Sequence, residues 1–149
     1  MREYRNKDII VYWYPELCAH LTTCFHTLPE VFRPKERPWV RLEEADPEAI
    51  IECIDKCASG ALKYSLPEGS SVDPGIAHGP GSADNTKDTG ACGAVRIKYA
   101  KDMPCFIEGP AEVISCQGES IYKGQRITLC SCGRTENPPF CDGSHRKKD

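Results

Sequence analysis

The residues with the clearest potential for chemistry lie near the end of the 149-residue chain. Cys130 and Cys132 are separated by one residue, and Cys141 and His145 are four positions apart, which places them on one face of a helical turn. Thiolates suit iron–sulfur clusters and zinc, and imidazole binds either metal. These four side chains therefore predict a metal site, and their types alone leave iron and zinc open.

The spacing narrows the choice of metal. Cys130 and Cys132 follow a strand-like stretch and project close together, so they can hold one iron of a cluster, while Cys141 and His145 share the other. Zinc modules usually pair their thiols as Cys-x2-Cys or Cys-x4-Cys rather than Cys-x-Cys. The pattern favours an iron–sulfur cluster, and a structural zinc site is the alternative.

The last part of the chain begins Cys-x-Cys and closes Cys-Asp-Gly-Ser-His. It resembles the CDGSH iron–sulfur domain of mitoNEET-type proteins over about residues 103–145. The resemblance implies a small β-rich domain in which Cys130, Cys132, Cys141 and His145 hold a 2Fe-2S cluster. Because such domains usually dimerise through their strands, it also implies a homodimer.

Three neighbours of these ligands have expected roles of their own. Asp142 can cap the helical turn through its side-chain oxygen, and Gly143 lets the backbone approach the inorganic core closely. Thr135 can donate a hydrogen bond to a sulfide or to the loop. The basic residues 146–148 are expected to form a solvated end.

The histidine ligand predicts the redox behaviour of this site. Neutral imidazole in place of a thiolate removes negative charge, so the potential should exceed that of a four-cysteine cluster. Because imidazole titrates near neutral pH, we expect an acid-labile cluster whose potential falls as the pH rises. Replacing His145 by cysteine should abolish both properties.

A second cysteine pattern lies in the N-terminal half. Residues 8–14 are rich in β-branched and aromatic side chains and predict a strand that runs into a loop with Cys18 and Cys24. A helix is predicted to begin at Asp46-Pro47 and to end by Gly60, with Cys57 near its end. Residues 61–64 predict a short strand that pairs with the first.

This half resembles the divergent 4Fe-4S mono-cluster family over residues 8–64. The resemblance implies a small ferredoxin-like domain with an iron–sulfur cluster on Cys18, Cys24 and Cys57. The sequence departs from the family at Ala58, where the family has proline. The matching stretches are Cys18-Ala19-His20-Leu21-Thr22-Thr23-Cys24, Leu28-Pro29-Glu30-Val31-Phe32, Arg37-Pro38-Trp39 and Cys57-Ala58-Ser59-Gly60-Ala61-Leu62.

The number of thiols leaves the cluster type open, because an ordinary 4Fe-4S site uses four cysteines. Leu21 occupies the middle of the loop and cannot bind iron. Either three cysteines hold a 3Fe-4S cluster, which we favour, or a 4Fe-4S cluster takes a fourth ligand from His20, Cys53 or a small exogenous molecule. His20 is the better candidate, since Cys53 lies on an apolar helix face where buried, inert thiols are ordinary.

Composition divides the chain. Residues 67–93 are rich in Gly, Pro, Ser, Asp and Asn and predict a linker between a domain at 1–66 and another at 94–149. Residues 94–129 predict a small antiparallel β unit with turns at Gly109-Pro110 and Gly118-Glu119. The predicted fold class is α+β. Three further thiols fit no cluster spacing and are expected to be structural: Cys92, Cys105 and Cys116.

Charge and hydropathy exclude several classes of protein. A net charge of −3 argues against a nucleic-acid partner. No secretory apolar segment and no run of about 18 apolar residues is present, so we expect no membrane span. The ten cysteines are then expected to be reduced, in the cytoplasm, rather than paired as disulfides.

The expected function follows from the two cysteine patterns. The sequence has no phosphate-binding loop, nicotinamide fingerprint or catalytic triad, so an enzyme is not expected. We expect one-electron transfer with a redox partner protein. The alternatives are cluster transfer to an apo-acceptor protein, redox or pH sensing, and a zinc-stabilised interaction module.

Overall fold

The computed structural model describes residues 1–86 and 95–146, which form two compact units. Two small antiparallel sheets and a few short helices make up the elements, so the predicted α+β class is confirmed. Unit 1 contains Met1–Pro15, Thr22–Cys57 and Ala61–Asp84. Unit 2 contains Glu16–Leu21, Ala58–Gly60 and the described residues of Asn85–Asp149.

The sheet of unit 1 has three antiparallel strands in the order β1-β2-β3. These are β1 (Arg2–Arg5), β2 (Ile10–Trp13) and β3 (Leu62–Ser65). The predicted pairing of the last two strands is confirmed, with Val11 opposite Tyr64. Strand β1 was not predicted, because three of its four residues are charged, which suits an exposed sheet edge rather than a half-buried strand.

Two α-helices complete unit 1: α1 (Thr23–Thr27) and α2 (Pro47–Asp55). Helix α2 begins as predicted, since Pro47 occupies its first turn, where a missing N–H costs nothing. It ends before Cys57, whose N–H donates to the Ile54 carbonyl at 2.9 Å. Residues 37–40 belong to no strand, and Val40 forms only an isolated bridge with Phe32.

The core of unit 1 is an apolar cluster between the sheet and α2. Trp39 packs against Trp13 with ring centroids 4.8 Å apart, and the buried face of α2 supplies Ile50 and Ile54. The other buried members of the cluster are Ile9, Val11, Leu28, Val31, Phe32, Val40, Leu42, Ile51, Cys53, Leu62, Tyr64 and Val72.

Part of the segment predicted as a linker belongs to unit 1. The Asp8 carboxylate accepts hydrogen bonds from the Ser71 N–H at 3.0 Å and the Ser71 hydroxyl at 2.8 Å, which lower the pKa of Asp8. Asp55 accepts from the Gly81 N–H at 2.8 Å. These bonds hold residues 67–84 to unit 1. Residues 87–93 lie outside the described residues, and the domain boundaries stay a prediction.

The sheet of unit 2 is antiparallel, as predicted, in the order β4-β5-β6. Its strands are β4 (Arg96–Lys98), β5 (Cys105–Ile114) and β6 (Ser120–Leu129). The turn predicted at Gly118 is confirmed, since Gly118 has φ +87° and the Ser115 N–H donates to the Glu119 carbonyl at 2.8 Å.

The turn predicted at Gly109-Pro110 was wrong. Both residues lie inside β5, where the register with β6 shifts between Glu108 and Ala111. A β-bulge accommodates the positive φ of Gly109 (+119°) and the missing N–H of Pro110 while the strand continues. Among residues 1–86 and 95–146, no helix has the length and apolar character needed to cross a membrane.

Candidate metal centres

The end of β6 brings the first two predicted ligands together. Cys130 and Cys132 follow Leu129 directly, and their sulfur atoms lie 3.7 Å apart. The Cys130 N–H donates to the Pro139 carbonyl at 2.9 Å, and the Ser131 hydroxyl donates to the Met103 carbonyl at 2.6 Å. These bonds fix the backbone at Cys130 and the side chain of Ser131, the residue between the two cysteines.

Cys141 and His145 form a second pair. The Cys141 Sγ lies 3.4 Å from the His145 Nδ1, and the Gly143 N–H donates to the same sulfur at 3.4 Å. The predicted helical turn is a short 3-10 turn over Ser144–Arg146. The Cys141 N–H donates to the Thr128 carbonyl at 3.0 Å, which holds this loop against β6.

Asp142 and Thr135 bond the loop internally. The Asp142 carboxylate accepts from the N–H groups of Glu136 and Ser144, each at 2.9 Å, which confirms the predicted capping role. The same bonds, that from Glu136 above all, hold the pKa of Asp142 far below its usual value. The Thr135 hydroxyl donates to the Phe140 carbonyl at 2.7 Å and therefore serves the loop.

The two thiols with shifted pKa values differ in environment. Burial raises the pKa of Cys141. Burial also opposes ionisation of Cys130, but hydrogen bonds from the Thr135 N–H, the Cys132 thiol and the Gly133 N–H outweigh it and lower the pKa of Cys130. These hydrogen bonds favour the thiolate form of Cys130, which is the form that binds metal.

The N-terminal ligands are distributed over both units. Cys24 lies in α1 and Cys57 lies just beyond α2, both in unit 1, while Cys18 lies in unit 2. The Cys18 Sγ is 3.9 Å from the His20 Nδ1. The ligand set Cys18, Cys24 and Cys57 stays a prediction.

Cys53 is buried beside this pattern. It is only 1% exposed, and its thiol donates to the Cys24 carbonyl at 3.5 Å. Burial, assisted by the neighbouring Cys24 and Cys57 thiols, raises the pKa of Cys53 to about 12. In this structure the Cys53 thiol therefore acts as a hydrogen-bond donor to the backbone of a proposed ligand.

The loop between Cys18 and Cys24 is strained. His20 has φ +50° and Thr22 has φ +66°, both in the left-handed region that non-glycine residues seldom adopt. Each such residue costs about 1–3 kcal/mol, and such strain clusters at functional loops.

The remaining cysteines are accounted for only in part. No disulfide joins the cysteines within residues 1–86 and 95–146. Cys105 begins β5, and Cys116 is exposed in the turn after it. Cys92 lies outside the described residues. In the described part of the chain, no three side chains of the types His, Cys, Asp and Glu gather around one point that could hold a single metal ion.

Two protein families match separate parts of this chain. Residues 4–67 match the family described as "Divergent 4Fe-4S mono-cluster", and residues 102–146 match "Iron-binding zinc finger CDGSH type". Two curated proteins of Escherichia coli, from strains K12 and O157:H7, are each called "Uncharacterized protein YjdI". Each is 36% identical over 63 residues, which cover 42% of this chain and 83% of the relative.

The chain belongs to the divergent 4Fe-4S mono-cluster family. Its C-terminal part is a CDGSH-type iron-binding domain, so the predicted fusion of the two is confirmed. No solved structure matches the chain. Residues 4–67 are called the mono-cluster domain, and residues 102–146 are called the CDGSH domain.

Two residues of the CDGSH domain gain roles that the sequence did not suggest. Thr128 is buried, and its hydroxyl donates to the Ala58 carbonyl at 3.2 Å inside unit 2. Arg146, expected to be a solvated end, donates from Nη1 to the His20 carbonyl at 2.7 Å, also inside unit 2. Sequence patterns do not reveal these contacts, because the partners of both residues are far away along the chain. The one local sign is that Thr128 is a polar residue close to the ligand pair Cys130 and Cys132.

Proposed function

We propose that this chain is a non-enzymatic iron–sulfur protein that transfers single electrons to or from a partner protein. A 2Fe-2S cluster is held by Cys130, Cys132, Cys141 and His145. When bound, such a cluster supplies one-electron chemistry at a potential set by its ligands, hydrogen bonds and exposure. The single observation that carries the proposal is the arrangement of these four donors in two close pairs.

The paired arrangement favours a binuclear cluster over zinc. A tetrahedral zinc ion needs its four ligands around one point. Two pairs of donors match two irons with two protein ligands each, and the Cys-x-Cys spacing of the first pair is unusual for a zinc module. The lowered pKa of Cys130 and the His145 Nδ1 directed at the Cys141 sulfur agree with this assignment.

The mono-cluster domain holds the second cluster in this proposal, on Cys18, Cys24 and Cys57. Cys53, with its raised pKa and its bond to the Cys24 carbonyl, supports that ligand as a donor and is not itself a ligand. The cluster is then 3Fe-4S, or 4Fe-4S if His20 is the fourth ligand. The proximity of the His20 Nδ1 to the Cys18 sulfur keeps the second choice open.

The ligand set affects the reduction potential of the C-terminal cluster. This site has an imidazole in place of one thiolate, so its cluster should have a higher potential than a four-cysteine cluster. Because the ligands must be reduced thiols, we place the protein in a reducing, cytoplasm-like compartment.

A second candidate function is transfer of the 2Fe-2S cluster to an apo-acceptor protein, with sensing of redox state or pH as a related role. Its support is the exposure of Cys132, a ligand that an incoming thiol can reach. Incubation with an apo-ferredoxin distinguishes the two functions. An electron carrier keeps its iron and sulfide, whereas a cluster donor passes both to the acceptor.

The proposal is tested by a potentiometric titration of anaerobically purified protein followed by electron paramagnetic resonance. We expect two reversible one-electron steps. Cys57→Ser should remove only the mono-cluster signal, Cys141→Ser only the 2Fe-2S signal, and the control Cys116→Ser, at an exposed position, neither. A protein with no reversible reduction step, or one that contains zinc alone, would overturn the proposal.

A further inference from the structure

A short segment of the chain, residues 16–21, belongs to unit 2 together with the CDGSH loop. The Arg146 Nη1 donates to the His20 carbonyl at 2.7 Å, and the Asn137 Nδ2 donates to the Glu16 carbonyl at 2.5 Å. Two side chains of the CDGSH domain therefore hold this segment near both of its ends.

The segment is packed as well as hydrogen-bonded. Leu17 is 5% exposed and Ala19 is fully buried. A Cβ added at Gly143 would lie 3.2 Å from the Ala19 carbonyl oxygen and 3.4 Å from the His20 Cβ. Because glycine has no side chain, it allows the two backbones to approach this closely. The segment thus lies directly on the CDGSH loop at Gly143.

The contact falls on one side of the proposed 2Fe-2S site. The Gly143 N–H donates to the Cys141 sulfur at 3.4 Å, and Arg146 follows His145 directly in the chain. Cys141 is 2% exposed, and the His145 Nε2 is buried with no hydrogen-bond partner among the residues that the structure describes. Cys132, in contrast, is exposed. The segment therefore lies on the shielded side of the site.

The conformation of His20 shows that this segment is held in place. Its φ of +50° lies in the left-handed region that non-glycine residues seldom adopt. Such conformations persist only where surrounding contacts hold them. Since the His20 carbonyl accepts the bond from Arg146, loss of this bond should let the segment relax away from the CDGSH loop.

We propose that residues 16–21 are a latch on the CDGSH loop, closed by Arg146 and Asn137, that slows the loss of iron from Cys141 and His145. The inference rests on the proposed function, because it requires a 2Fe-2S cluster at this site. The latch takes no part in redox chemistry. It limits the access of a competing donor, which replaces a protein ligand on iron without transfer of an electron.

The first test follows the visible absorption of the full, iron-loaded chain after addition of EDTA at neutral pH. Arg146→Gln removes a hydrogen bond from a charged group and should speed the loss of iron by about tenfold, and Asn137→Ala by roughly fivefold. Arg146→Lys keeps a charged donor and should fall between wild type and Arg146→Gln. Lys123→Gln, which removes one exposed positive charge from β6, should match the wild type.

A second test reports on the latch itself, because Arg146 is adjacent to a ligand and its replacement could disturb that ligand directly. Thermolysin cleaves on the N-terminal side of leucine, so it can cut the latch before Leu17 and before Leu21. Cleavage of a transiently opened segment follows the population of its open form. In the full chain, both cuts should be slow in wild type and in Lys123→Gln, and faster in Arg146→Gln and Asn137→Ala.

The outcomes separate the latch from the proposed function. Faster iron loss together with faster cleavage of residues 16–21 in both variants supports the inference. Iron loss at the wild-type rate in both variants, or faster loss with unchanged cleavage, overturns it and leaves the proposed function intact. The proposed function fails separately, if the purified wild-type chain holds no sulfide or if Cys141→Ser retains the 2Fe-2S signal.

Discussion

Unit 1 and unit 2 are each stabilised internally by a different kind of interaction. Unit 1 has a continuous apolar core between its sheet and α2. The buried apolar side chains in the described part of unit 2 are few, namely those of Leu17, Ala19, Pro104, Ile127, Phe140 and Cys141. Small domains with little apolar core usually depend on a metal or on disulfides. The comparison indicates that unit 1 folds by burial, whereas unit 2 depends on what its cysteines bind.

Polar hydrogen bonds also have different roles in the two units. In unit 2, the CDGSH loop is organised by hydrogen bonds to Asp142, Thr135 and the backbone of β6. On β4, the side chain of Ile97 is 64% exposed, so the strand contributes little burial. In unit 1, polar bonds such as those of Asp8 supplement an apolar core that is already formed.

The largest expected effect is that of metal removal. Iron chelation under reducing conditions should leave unit 1 folded and unfold the loop around Cys141, because binding free energy of a structural metal is folding free energy. Both tryptophans, Trp13 and Trp39, belong to unit 1. Their emission maximum should stay unchanged while amide exchange of the CDGSH loop becomes fast. If the tryptophan emission shifted together with the loss of slow amide exchange, the two units would not differ in their dependence on metal.

Acid should act on unit 2 through His145. The 2Fe-2S cluster should be released in acid, because a protonated imidazole cannot bind iron, and His145→Cys should prevent this. The control is Asp142→Asn. Because the pKa of Asp142 is lowered on folding, its stabilising effect is complete above about pH 4 and is lost only below that value. This variant should weaken the loop without shifting the midpoint of release, followed by visible absorption.

The apolar core gives a direct contrast between the units. Ile50→Ala, at a fully buried position of α2, should destabilise unit 1 by about 2–5 kcal/mol. Ile97→Ala, on the exposed strand β4, should change stability by less than about 0.5 kcal/mol. Urea unfolding, monitored by tryptophan emission for unit 1 and by amide exchange for unit 2, measures both. Equal effects would contradict the assignment of a core to unit 1 alone.

A smaller effect is expected at the glycines of unit 2. Gly60→Ala combines a positive φ with a distance of 2.7 Å between the added Cβ and the Arg126 carbonyl oxygen. It should lower the free energy of unfolding by more than about 1 kcal/mol. Gly118→Ala has a positive φ but nothing within 4 Å of the added Cβ, so only backbone strain of about 1–2 kcal/mol is expected. The thermal midpoint for loss of the 2Fe-2S absorption compares them. A Gly118→Ala variant that is less stable than Gly60→Ala would contradict this expectation.

Local patterns were sufficient for much of this molecule. The strand at residues 10–13 follows from a run of β-branched and aromatic residues, and the start of α2 follows from Asp46-Pro47. The strand at residues 62–65 begins one residue later than predicted. The two ligand pairs of the CDGSH loop follow from spacings of two and four residues.

Features that depend on distant partners were not predictable. Ser71 contacts Asp8 across 63 residues, and Thr128 contacts Ala58 across 70 residues, so neither bond leaves a local pattern. The bulge at Gly109 had the composition of a turn, and only the long pairing of β5 with β6 decides otherwise. The position of His20, the proposed fourth ligand of a 4Fe-4S cluster, depends in the same way on the strained loop between Cys18 and Cys24.

The most direct test of the two-cluster account is the iron, zinc and sulfide content per chain of anaerobically purified protein, with electron paramagnetic resonance of the same sample. The account predicts about five irons with a 3Fe-4S signal when oxidised, or about six with a 4Fe-4S cluster, and in either case a 2Fe-2S signal on reduction. Zinc without sulfide, or iron for a single cluster only, would contradict it.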